Sequence, residues 1–89
     1  MSTFSGHVLS GELSLQEPSF MLKQVKHLET ESYLSIENLS ALQHYLQRRY
    51  DEGDDFVLTL NDQIPVRFSN KEMELLLLDF HEINNHLHF

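Results

Sequence analysis

The residues best suited to chemistry cluster near the C-terminal end. Asp79, His81, Glu82, His86 and His88 bring nitrogen and carboxylate donors together. On a helix Asp79, Glu82 and His86 stand at i, i+3 and i+7, so they share one side. Zinc accepts such N and O donors. Against a metal site, the sequence has no HExxH and no CxxC pair. A solvated tail or an interface edge is the simpler reading, and no metal or other cofactor is expected.

A second group is the acidic run Asp51-Glu52-Gly53-Asp54-Asp55. A calcium loop needs acids at alternate positions, Gly at the sixth and Glu at the twelfth. This run has neither the length nor the spacing. It reads as a solvated link between a helix and a strand, or as a contact for a basic partner. Asp51, Glu52, Asp54, Asp55 and Glu82, with Tyr45, form the candidate partner-binding set. Tyr is enriched at interface hot spots, and Tyr45 points away from the apolar stripe of its helix. Tyr50 falls on that stripe and is expected to be half-buried. Tyr33 falls in an expected turn between helices, with no assigned contact.

The basic residues form two small groups, Lys23/Lys26 and Arg48/Arg49. With His44 they are the alternative set, anion contacts for a nucleotide or metabolite in an oligomer; Arg suits bidentate phosphate recognition. Catalysis finds no support. The sequence contains no GxSxG, no P-loop and no cysteine. The chain is therefore expected not to be an enzyme.

Composition narrows the partners. The 89 residues include 14 acids and 6 Lys or Arg, for a formal net charge of -8. Such a chain is repelled by phosphate backbones, so direct nucleic-acid binding is not expected. It is steered towards basic surfaces. With no cysteine, no disulfide or thiolate site exists. No apolar run approaches a membrane span, the longest being Leu75–Leu78. Met1 to Gly11 lacks the basic and long apolar regions of a signal peptide. The expected location is the cytoplasm.

The elements that must position these residues are read as one small domain over 1–89. Residues 1–12 read as either a flexible segment or a short strand. A first helix is expected from Glu17–Ser19 to Glu31, with Pro18 in its first turn and Met21, Val25 and Leu28 on one side. A second helix follows the N-cap Ser35, with Ile36, Leu39, Leu46 and Tyr50 as its stripe and Gly53 as its stop. Phe56–Leu60 and Ile64–Phe68 alternate and flank Asn61-Asp62-Gln63, which predicts a β-hairpin. Parity pairs Leu60 with Ile64, Leu58 with Val66 and Phe56 with Phe68. Pro65 places its strand at an edge or marks a bulge in it. Ser69-Asn-Lys-Glu72 is a capping box before the stripe Met73, Leu76, Leu77, Phe80, Ile83, Leu87. This C-terminal helix should lie on the hairpin. Leu75 and Leu78 point to its back, where a core contact, a homo-oligomer seam or a hetero-partner would cover them. The expected fold is α+β: two N-terminal helices, a hairpin over about 56–68, then an amphipathic helix.

The leading functional expectation is a small acidic, non-enzymatic module that docks on a basic, nucleic-acid-binding partner as an inhibitor or regulator, and that forms a homo-oligomer. Size and charge match the profile of many phage- and mobile-element-encoded inhibitors, as analogy only. In its sharper form the acids mimic the phosphates of DNA. The alternatives are an oligomeric small-ligand or nucleotide binder and a winged-helix-like transcriptional regulator.

Overall fold

The computed structural model describes residues 2–60 and 63–88. The order of elements is β1 (Ser2–Ser5), β2 (Leu9–Ser14), β3 (Ser19–Val25), β4 (Leu28–Ser35), α1 (Ile36–Asp51), β5 (Phe56–Leu60), β6 (Ile64–Phe68) and α2 (Asn70–Leu87). The class is α+β, but strands come first. A four-stranded antiparallel sheet, β1-β2-β3-β4, occupies the region where the sequence predicts a first helix. Only one helix, α1, precedes the hairpin.

The cause of that difference lies in β3. Pairing with β2 steps from Gly11↔Leu22 to Ser10↔Gln24, so Lys23 is an extra residue, a β-bulge. The bulge shifts the inward face by one position. Phe20, Leu22 and Val25 are buried at steps of two and three, a spacing that hides the period of a strand. Pro18 sits in the β2–β3 turn rather than in a first helical turn. Lys26 and His27 form the β3–β4 turn, with Lys26 at φ 55°.

The remaining elements follow their local signals. The Ser35 side chain accepts from the Asn38 amide and starts α1. Gly53, at φ 76°, stands just past the C-cap Glu52, where a left-handed residue ends the helix. β5 and β6 pair as Phe56↔Phe68, Leu58↔Val66 and Leu60↔Ile64, the register parity requires. Asn61 and Asp62, read as part of that hairpin's loop, lie outside the described residues. The capping box of α2 is formed, with Ser69 and Glu72 bonding each other's backbone amides.

One core joins both sheets and both helices. Phe4, Leu9, Leu13, Phe20, Leu22 and Val25 of the large sheet meet Leu39 and Leu46 of α1, and Leu76, Phe80, Ile83 and Leu87 of α2. Met73 of α2 and Phe56, Leu60, Val66 and Phe68 of the hairpin complete it. α2 therefore packs on α1 and β2 as well as on β6, not on the hairpin alone. Among the described residues, no helix is long and apolar enough to cross a membrane.

Candidate functional site

Asp79 is drawn out of the set in which the sequence placed it. Its side chain is 1% exposed. Its Oδ1 accepts from the His7 amide at 2.7 Å, and its Oδ2 from the Val8 and Leu9 amides at 2.7 and 2.9 Å. A buried carboxylate is stable only with such partners, and three amides supply them. Gly6 makes the approach feasible: a Cβ there would collide with the Asp79 carboxylate. Glu82 and His86 stay exposed on α2 while Asp79 turns inward, so the three do not converge. No group of three metal-binding side chains occurs among the described residues.

The basic residues serve separate contacts. Lys23 Nζ lies 3.2 Å from Glu31. Lys26 Nζ donates to the Arg67 carbonyl at 2.6 Å, pairs with Glu72 at 2.8 Å and sits 4.9 Å above the Phe68 ring. Arg49 donates to the Asp55 carbonyl and lies 3.7 Å from the Asp54 carboxylate. Arg48 stands over the Tyr45 ring. His44 is exposed on α1. The two basic groups thus occupy different elements.

Two titrations are displaced, each by one of these tertiary contacts. The Lys26 ammonium bonded to Glu72 holds that carboxyl below its usual value, aided by the Ser69 amide. The Tyr50 hydroxyl is raised because it donates to the Glu74 carboxylate at 2.5 Å. Neither group lines a groove, and both shifts have structural causes.

The opening that no contact explains lies between the two sheets. β4 ends the large sheet, and β5 belongs to the separate two-stranded sheet. Between them Leu9, Leu22, Leu34, Leu42, Phe56, Leu58, Leu76 and Phe80 surround an apolar cavity of about 60 Å³. Ser32 and Thr59 also reach its lining, which is otherwise apolar. Beside it lies a surface groove lined by Leu34, Asn38, Ala41, Leu42, Leu58 and Thr59. Leu34, Leu42, Leu58 and Thr59 border both spaces, so the two are neighbours. The inner space suits part of an apolar side chain.

The acidic run joins α1 to β5, two elements that line this groove, but none of its acids is among the lining residues. Asp51 ends α1, and Asp54 and Asp55 lead directly into β5; all four acids of the run are exposed. Tyr45 is 43% exposed, one helical turn beyond Ala41 and Leu42. Its ring packs against Phe56 at 5.6 Å between centroids. Ala41, Leu42 and Tyr45 succeed one another along α1, and the acids follow at its C-terminal end and before β5. Glu82 lies apart, exposed on α2 with Leu75 and Leu78, which are 36% and 52% exposed. Among the described residues nothing buries that leucine pair. Tyr50 is half-buried as its stripe position requires, and Tyr33 is 58% exposed on β4 rather than in a turn between helices.

Comparison with protein-family models, with curated proteins and with solved structures returns no match for this chain. The groove and its acids are what the chain itself offers for a functional reading. Leu34, Leu58 and Thr59 are not among the candidates that the sequence suggests. Their role depends on two sheets failing to join, which leaves no local pattern.

Proposed function

We propose that this chain is a small acidic, non-enzymatic protein-binding module. It takes an apolar side chain of a partner into the groove between β4 and β5, while the partner's basic residues meet the acids beside it. The observation that carries the reading is the apolar groove beside an inner cavity, with the exposed acids Asp51, Glu52 and Asp55 on the segment that joins two of its walls, α1 and β5. Large apolar openings with charged rims are where soluble domains receive partners. The effect on the partner is regulatory or inhibitory: a covered basic surface is withdrawn from its other ligands.

Two readings lose support. Lys23, Lys26 and Arg49 already pair with acids of the same chain, which leaves an anion pocket with few donors. The winged-helix likeness depends on two helices before the hairpin, and a four-stranded sheet stands in place of the first.

The test is a titration of isotope-labelled protein with a peptide of alternating valine and lysine, followed by NMR at about 50 and 300 mM salt. Saturable shifts at Leu34, Leu42 and Leu58, weakened by salt, are expected. Equal binding by the valine–glutamate counterpart would remove the charge argument. Shifts confined to other surfaces would remove the groove.

A further inference from the structure

We infer that the partner enters as an extended strand that pairs with the open edge of β5. This rests on the proposed groove docking and adds the partner's conformation to it.

The first support is the direction of the β5 amides. Pro65 lies opposite Thr59 in the hairpin. A proline has no N–H, so it fits a position whose N–H would point out of the ladder. In an antiparallel pair, hydrogen-bonded and non-hydrogen-bonded positions alternate. Thr59↔Pro65 and Val57↔Arg67 are then the non-bonded pairs. Phe56, Leu58 and Leu60 carry the bonds to β6. Val57 and Thr59 turn their N–H and C=O groups the other way, away from β6.

The second support is where that edge lies. The groove wall includes Leu58 and Thr59, which belong to opposite faces of β5, and no residue of β6. A wall built from both faces of one strand is its edge. Ala41 and Leu42 of α1 line the other side. A strand laid along β5 would place alternate side chains towards Leu34, Leu42 and the inner cavity. The others would face out beside Val57, which is 48% exposed.

The third support is charge. Asp54 and Asp55 stand at the start of β5, and Asp51 and Glu52 just before them. A second copy of this chain would add another formal charge of -8. An incoming strand that carries Lys or Arg meets opposite charge instead. A two-stranded sheet is marginal by itself, and a third strand completes it. Main-chain bonds supply affinity in this mode and side-chain pockets supply selectivity. The occupant is therefore an extended segment with alternating apolar and basic residues.

The experiment compares peptides on the full chain by fluorescence anisotropy. The parent is an octapeptide of alternating valine and lysine. Two derivatives carry N-methyl groups on the amides of either the odd or the even residues. A helical leucine–lysine peptide is the fourth probe. One methylated derivative is expected to lose at least about tenfold in affinity, and the other to bind like the parent. Thr59→Pro should weaken the parent similarly, and Thr59→Ala should not; circular dichroism checks that both variants fold. If both methylated peptides bind like the parent, strand pairing fails and groove docking stands. Strand pairing also fails, and groove docking stands, if only the helical peptide binds. If no probe binds, both proposals fall. A dimer that tightens with salt and is lost in Thr59→Pro would make a second copy the occupant and overturn the basic partner.

Discussion

Two of the seams that join the N-terminal sheet to the rest of the molecule are closed by different means. At one, the turn between β1 and β2 is fixed to α2 by Asp79 and three amides. At the other, β4 faces β5 across leucines that leave a cavity of about 60 Å³. The first seam is directional. A carboxylate and three N–H groups fit in one geometry, and any other leaves buried polar groups unpaired. The second is lined mostly by leucine and phenylalanine side chains, and apolar contact is non-directional. A surface that must stay shut suits the first chemistry. A surface that must admit another chain suits the second.

The comparison breaks most severely at Asp79. Asp79→Ala orphans three amides at once, that of Leu9 buried and those of His7 and Val8 partly so. It should lower stability by about 3–5 kcal/mol, measured as the shift in a urea unfolding midpoint. Gly6→Ala strikes the same clamp from the opposite side. Its Cβ would meet the Asp79 carboxylate well inside van der Waals contact, and a loss of about 2 kcal/mol is expected from crowding. If both variants unfolded at wild-type urea, the clamp would be incidental to the fold.

A smaller effect is expected at Lys26, which ties the β3–β4 turn to β6 and α2. Lys26→Met removes a partly exposed ion pair and a cation–π contact, together worth about 1 kcal/mol. The pH dependence gives a sharper signature. Glu72 titrates lower in the folded chain than unfolded, where a glutamate has a pKa of about 4.3. Its contribution is complete above about pH 5 and is lost as pH falls through the folded-state value. In Lys26→Met the acid limb of the stability curve should therefore be shallower. An unchanged limb would show that the ion pair does not hold the carboxyl.

The smallest change in stability belongs to the open seam. Leu34→Phe enlarges a side chain that borders both cavity and groove. Filling offsets crowding, so stability should move by no more than about 1 kcal/mol. Binding of the valine–lysine peptide should nevertheless be lost. A variant that binds normally would place the partner elsewhere.

How far the sequence discloses this arrangement depends on how local each signal is. Ser35, the Ser69–Glu72 box and the alternation on either side of residues 61–63 act within a few positions, so α1, β5, β6 and α2 are legible directly. The first third misleads because Lys23 interrupts the alternation of β3, while Met21, Val25 and Leu28 imitate a helical spacing. The acidic run and Tyr45 are legible by residue type. Asp79 is legible only as a chemical donor, since its partners are backbone amides as far as 72 residues away. Leu34, Leu58 and Thr59 carry no mark in the sequence, because a groove is a property of two elements that stay apart.

The Asp79 clamp also bears on the order in which a growing polypeptide can settle. The amides of His7, Val8 and Leu9 leave the ribosome early, and the carboxylate that accepts from them is synthesised 70 residues after the last of the three. Until then water must satisfy that turn. Contacts so distant along the chain are slow to form, because a long loop must be closed before they contribute. The N-terminal sheet can pair its strands during synthesis, yet its first turn is secured only when α2 arrives. The last helix thus acts as a latch, and completion of the fold waits for translation to pass residue 79.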